Sequence, residues 1–182
     1  LVARLDEAGI PVYLGDPTTL PDVFALVRAV AVRVGASAAG EALAARLEGQ
    51  AAGQSAGAPA HRVRRVRVFV YDCCDPPFTT GGRTVLSDLI ARAGGENVFA
   101  DLAAGWTHVS WEEVVARRPE LVVIHAYRHD GQGDAADKQR AIAAISALAA
   151  VPTLVLPLGC SLGGLRSTLG LARLRAAIGG SA

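Results

Sequence analysis

The chain has 182 residues, of which 51% are hydrophobic, and a formal net charge of +1. That is enough apolar material for one substantial core with a smaller appendage. It is too little charge for a global field that would draw the protein to nucleic acid or to an anionic membrane, and no stretch approaches the roughly 20 continuous apolar residues of a membrane span.

The opening LVARLDEAGIPVYL reads as the end of a helix, a turn at Gly9 and a short apolar strand over 10–14. A strand begun so abruptly has no sheet partners upstream, and the chain contains no Met. It therefore reads as a fragment lacking its N-terminal part. Thr19, followed by Pro21 and Asp22, has the form of a capping box opening a helix. Val23, Leu26, Val27, Val30 and Val34 continue at helical spacing. Gly35 and Ser37 mark a break or restart, and Leu43 and Leu47 carry the pattern on to about Gln50. Such a segment could run for roughly 40 Å at 1.5 Å per residue. Residues 49–60, rich in Gly, Ala, Ser and Gln, read as a loop or linker.

From Val66 the pattern becomes alternating strand and helix. VRVFVY (66–71) is rich in β-branched and aromatic residues and predicts a strand. A helix is expected from about Thr84 to Ala93, stopped by Gly94. Ser110 with Glu113 forms a second capping box, opening a helix to about Arg117. LVVIHAY (121–127) is a near-continuous apolar run, as in a buried parallel strand. A helix over about 135–149, a strand at 153–158 and a helix from about Leu165 to Ile178 complete the series. Alternation of this kind implies a mainly parallel sheet covered on both faces.

In open α/β sheets ligands sit at the carboxyl ends of the strands, here the loops 72–83, 126–134 and 158–164. In the first, Pro76 and Pro77 stiffen the chain before Phe78, so the ring can be presented at little ordering cost; equally, Phe78 could plug the core while Gly81 and Gly82 turn the chain. Trp106, in a loop of small residues, is either an anchor or a flat contact for a large ligand. Trp111, at the first helical position, reads as a packing residue. Glu113 satisfies the cap, which leaves Glu112 free to project outward as a contact for a partner's Arg. Arg166 reads as a surface charge or as a partner for an anionic group at a cleft rim.

His125 and His129 have helical metal-ligand spacing, with Asp130 adjacent and His108 as a third candidate. Since His125 ends a strand, the spacing loses that meaning, and no metal site is expected. No phosphate-binding glycine motif, nucleophile elbow or HExxH motif occurs. Cys73, Cys74 and Cys160 lack metal-ligand spacing. Adjacent Cys73 and Cys74 bridge each other poorly, a Cys160 bridge to one of them is conceivable, and small semi-buried thiols are the default. Arg outnumbers Lys seventeen to one, with Lys138 alone, which reads as coding bias.

Taken in order, DPPFTTGG, AGGENVFAD, WTHVSWEEVVARRPELVVI and VLPL…GGLR resemble the extracytoplasmic substrate-binding proteins that feed ABC importers for iron–siderophores, haem and vitamin B12. The resemblance covers about residues 62–178 and, more weakly, the GIPVYL strand and the helix after it. It implies an α/β, Rossmann-like three-layer lobe with a mainly parallel sheet, plus a long connecting helix from a mostly missing N-terminal lobe. Residues 1–18 would be the remnant of that lobe, 19–52 the connecting helix, and 62–182 the C-terminal ligand-binding lobe. It further implies ligand contacts at Tyr71, Phe78, Thr79, Trp106, Tyr127 and Arg166, and docking on an ABC permease dimer through Glu112. No catalytic residue, resident metal or cofactor is implied. The expected cargo is an iron(III)–siderophore chelate, with cobalamin or haem as alternatives. Location would be the periplasm or, through a lipid anchor, the outer face of the cell membrane. Two other readings are a free Zn or Mn binder and a chelatase-like or Cys-dependent enzyme.

Overall fold

Two apolar runs, one either side of a long excursion, fix the centre of the protein. The computed structural model describes residues 2–53, 64–127 and 134–180. Strand β1 (Val66–Tyr71) lies between β3 (Gly95–Asn97) and β5 (Leu121–Ala126), and β5 pairs in turn with β6 (Thr153–Pro157). All three pairings are parallel, with Val68 opposite Leu121 and Val122 opposite Thr153. Every residue of β5 is buried, which is why its sequence shows no polar alternation.

Successive side chains on a strand point to opposite faces, and the two faces feed two cores. Val66, Val68, Val70, Leu121 and Val123 join one core with helices α2 (Leu20–Arg33), α3 (Ser37–Gly53), α4 (Val85–Arg92) and α7 (Ser167–Gly180). Phe69, Tyr71, Val122 and Ile124 join the other with Val114 of α5 (Trp111–Ala116) and Ile142 of α6 (Ala135–Ala144). The result is the expected α/β three-layer lobe. A separate two-stranded antiparallel sheet pairs β2 (Phe78–Thr80) with β4 (Trp106–His108).

Both capping boxes form: Thr19 with Asp22 at the start of α2, and Ser110 with Glu113 at the start of α5. The long rod expected over 19–52 does not. The chain leaves α2 at Val34, Gly35 takes φ +71°, and α3 folds back against α2. A Cβ on Gly40 would lie 2.1 Å from the Cβ of Ala31, so the glycine permits the close helix crossing. Arg28 of α2 clasps both Glu41 and Glu48 of α3. The glycine and the clasp together favour a hairpin over a continued helix.

Two further expectations are corrected. Residues 10–14 follow helix α1 (Val2–Glu7) but form no strand, and Ile10, Val12, Tyr13 and Leu14 are 39–71% exposed. Apolar alternation makes a strand only where a neighbour supplies the ladder, and none does so among the described residues. Helix α6 ends at Ala144, short of 149, because Ile145 turns extended and tucks Leu148 into the second core. No helix among the described residues is long and apolar enough to cross a membrane.

Candidate ligand-binding cleft

The carboxyl ends of β1, β5 and β6 meet at one rim of the sheet, and the small β2–β4 sheet stands beside it. The loop leaving β1 is tightly held. Asp72 N donates to Phe78 O and Phe78 N to Cys73 O, while Val109 N donates to Pro77 O. Tyr71 Oη donates to Cys74 O and Trp111 Nε1 to Asp75 Oδ1, and His108 Nδ1 lies 3.0 Å from Pro76 O. Phe78 is thereby fixed in β2, opposite His108 across the ladder.

The glycine pair that follows is needed for contact rather than for turning. A Cβ on Gly81 would fall 2.3 Å from Ala104 O, and one on Gly82 2.4 Å from Ala100 O. The two backbones are laced together by Gly81 N to Gly105 O and Gly82 N to Leu102 O. This close approach brings Trp106 beside Phe78.

Four rings then follow one another. His108 lies 4.8 Å from Phe78, Phe78 stacks on Trp106 at 5.9 Å with 24° between planes, and Trp106 lies 5.6 Å from His125. Trp106 also forms part of the wall of a cavity of about 490 Å³. Arg83, Thr84, Val85, Ser161, Leu162 and Gly15–Thr18 also line it. The wall is mixed: an aromatic face, an exposed guanidinium and several hydroxyls, of the kind that holds a large ligand by stacking and a few polar contacts.

Beneath the aromatic row is a buried polar network. His125 Nδ1 lies 2.7 Å from Asp72 Oδ1, and Tyr127 Oη donates to Asp72 Oδ2. Lys138 Nζ pairs with Asp134, donates to His125 O at 2.7 Å and sits over the Tyr127 ring. The lone lysine is therefore not a surface charge: its ammonium is buried and held by Asp134, the His125 carbonyl and the Tyr127 ring. Tyr127, half exposed, is held at its hydroxyl, its ring face and its amide, the last donating to Asp134.

Burial raises the Asp72 carboxyl, yet the hydrogen bonds from His125 and Tyr127, with the charges of His125 and Lys138, outweigh it and leave it below the ordinary carboxylate range. A depressed carboxylate stabilises the fold above its unfolded value of about 4 and ceases to as pH falls through the folded value. Urea midpoints of the wild type and Asp72→Asn are accordingly expected to differ at pH 7 and to converge below about pH 4. A gap that stays constant down to pH 3 would detach the network from stability.

The expected contact residues separate on inspection. Phe78, Trp106 and Tyr127 lie along the rim, with Phe78 backing Trp106 and only Trp106 lining the cavity. Tyr71 does not present its ring there: it is buried on the opposite core, 5.2 Å from Trp111. Thr79 is also fully buried, as is its neighbour Thr80, so of β2 only Phe78 is partly exposed. Arg166 is exposed beside Gly159 and is not among the cavity-lining residues. Glu112 is exposed on α5, with the cap filled by Glu113.

His125 is completely buried and paired to Asp72, whereas His108 is exposed at the far end of the aromatic row. His129 and Asp130 lie outside the described residues, and no metal-binding cluster occurs among those described. Cys73 and Cys74 do bridge each other, contrary to expectation, with Cys74 in a left-handed conformation at φ +74°. Cys160 is a buried free thiol in the first core. Arg83 is a wall residue that the sequence marks only by its place between Gly82 and the Thr84 cap.

The model of the family described as "Periplasmic binding protein" matches residues 3–154. A vitamin B12-binding protein of Yersinia pestis (strain Pestoides F) is 40% identical over 58 residues, which are 32% of this chain and 21% of that protein. A periplasmic binding protein from Veillonella parvula superposes with a TM-score of 0.86 at 21% identity, covering 98% of this chain. This chain spans 64% of that structure's length. A periplasmic heme-binding protein from Roseiflexus sp. RS-1 superposes at 0.79 with 26% identity, covering 99% of this chain and 71% of its own.

Proposed function

The chain belongs to the periplasmic binding protein family, and on that premise we propose that it is the cargo-gripping part of a substrate-binding component of an ABC importer for metal chelates. One observation carries this reading: Trp106, backed by Phe78, lines a mixed aromatic and polar cavity beside the carboxyl rim of a parallel sheet. Such a rim grips a large, flat guest by its face and a few polar groups without altering it.

Cobalamin is the first cargo to test, because the 58-residue match is to a vitamin B12-binding protein. An iron(III)–siderophore chelate, favoured by the sequence reading, is the second, and haem the third. In this proposal residues 64–180 form the C-terminal lobe. Residues 1–18 belong with an N-terminal lobe, which their exposed Ile10, Val12, Tyr13 and Leu14 would pack against. The link between lobes is α2, with α3 returning to the C-terminal lobe. The protein works outside the cytoplasm, in the periplasm or lipid-anchored, and reaches the membrane through its permease or that anchor.

The test is a thermal shift of the full-length protein with cyanocobalamin, an iron(III)–hydroxamate and haem. A cargo at a hundredfold excess over its Kd stabilises by about 2.7 kcal/mol, so its melting point should rise by several degrees. No rise with any of the three, together with silent calorimetry, would sink the chelate reading.

Docking is proposed at Glu112, an exposed carboxylate on a rigid helix start. Glu112→Ala is expected to leave cargo affinity unchanged and to lower uptake in cells carrying the importer. Undiminished uptake would remove Glu112 from the permease contact.

A further inference from the structure

The Cys73–Cys74 pair is not among the residues lining the cavity, yet it sits in the loop that positions the aromatic stack. The two residues are joined to each other. Cys160 is no alternative partner, since it is buried beyond β6 against α7. Cys74 is exposed and Cys73 half-buried, so a reagent can reach the bond. Cys73 O accepts the Phe78 amide and Cys74 O accepts Tyr71 Oη. The loop is thus pinned at both cysteines and carries Phe78 straight onto Trp106.

We propose that Cys73–Cys74 is a thiol–disulfide exchange site that couples redox state to the geometry of the Phe78–Trp106 face. A dithiol reductant supplies two electrons and two protons. The bond between the Sγ atoms breaks, both residues become thiols, and the reductant closes its own disulfide. Without the bridge nothing covalent holds Cys74 at a positive φ, a region that residues other than glycine seldom occupy. The backbone at Cys73 and Cys74 can then rotate, releasing the Cys73 carbonyl from the Phe78 amide and the Cys74 carbonyl from Tyr71 Oη. In the thiol state the two sulfurs sit on neighbouring residues and form a site for thiophilic trivalent arsenicals. Calling this rim a cleft rests on the receptor reading, but the test uses no cargo, so either can fail while the other stands.

Protein equilibrated with oxidised glutathione and then alkylated under denaturing conditions is expected to take label at Cys160 alone; after dithiothreitol it takes label at all three cysteines. In a proton–nitrogen correlation spectrum the Trp106 indole signal, identified through Trp106→Phe, is expected to shift on reduction and to return on reoxidation. In Cys73→Ser/Cys74→Ser it should be insensitive to dithiothreitol. The reduced wild type should take up one equivalent of phenylarsine oxide, which requires two neighbouring thiols, while the double variant takes none. Label at Cys73 or Cys74 without reductant, a Trp106 signal indifferent to redox state, or no arsenical uptake by the reduced wild type would each overturn the proposal.

Discussion

Asn97→Ala is expected to lower stability by about 3 kcal/mol, read as a fall in the urea midpoint with an unchanged slope. Asn97 is only 4% exposed. Its Nδ2 lies within hydrogen-bonding distance of Thr80 O, Gly81 O and Ser87 Oγ, and its Oδ1 accepts the Phe99 amide. Alanine would leave those groups buried with fewer partners, and an unmet buried polar group costs about 1–3 kcal/mol. Because the carboxamide ties β3, the glycine pair and α4 together, it acts as a clasp between the main sheet and the wall of the cleft. In a chain of this size about 3 kcal/mol corresponds to roughly 6–12 °C in the melting point. A loss below about 1 kcal/mol would mean that the loop holds itself without the amide.

Trp106→Ala is expected to weaken cargo binding by about 3 kcal/mol, roughly 150-fold in Kd. Trp106 is partly exposed, is supported by Phe78 on one side and His125 on another, and lines the cavity. A flat ring already held in place loses little freedom when a guest covers it, so most of the contact reaches the affinity. Trp106→Phe should recover part of the loss, because a smaller face still stacks. Calorimetry of the full-length protein with the cargo found by thermal shift makes the comparison. Unchanged affinity in the alanine variant would assign Trp106 to packing.

What could be read from the sequence was local. The Thr19–Asp22 and Ser110–Glu113 boxes are closed by residues three apart, and β1 and β5 announce themselves by burial on both faces. The three-residue strands β3 and β4 carry no such signal, because the partner that makes them strands lies elsewhere in the chain. Residues 10–14 show the converse: a strand pattern without a neighbour. Gly35 marks a break in the helical pattern, but folding back is settled by Gly40 meeting Ala31 and by Arg28 reaching Glu41 and Glu48.

The candidate site divides in the same way. Phe78 and Trp106 stood out as aromatics among small and stiff residues. That they stack on one another depends on the β2–β4 ladder. The Asp72–His125–Tyr127 network joins residues 53 and 55 apart in the chain, and no spacing rule reaches across such a gap. Tyr71 and Thr79 lie near the rim in sequence but are buried, Tyr71 by the core it shares with Phe69 and Trp111 and Thr79 together with its neighbour Thr80, and neither burial is visible in a local pattern.

The solitary lysine has a practical corollary. Reagents that acylate side-chain amines find one ε-ammonium in the described protein, and it is neutralised by Asp134 and screened by the Tyr127 ring. Dyes or surfaces coupled by that chemistry will largely spare the side chains, whereas arginine-directed dicarbonyls meet exposed targets such as Arg83 beside the opening. The molecule can therefore be probed at its entrance by one class of modifier and left untouched by the other.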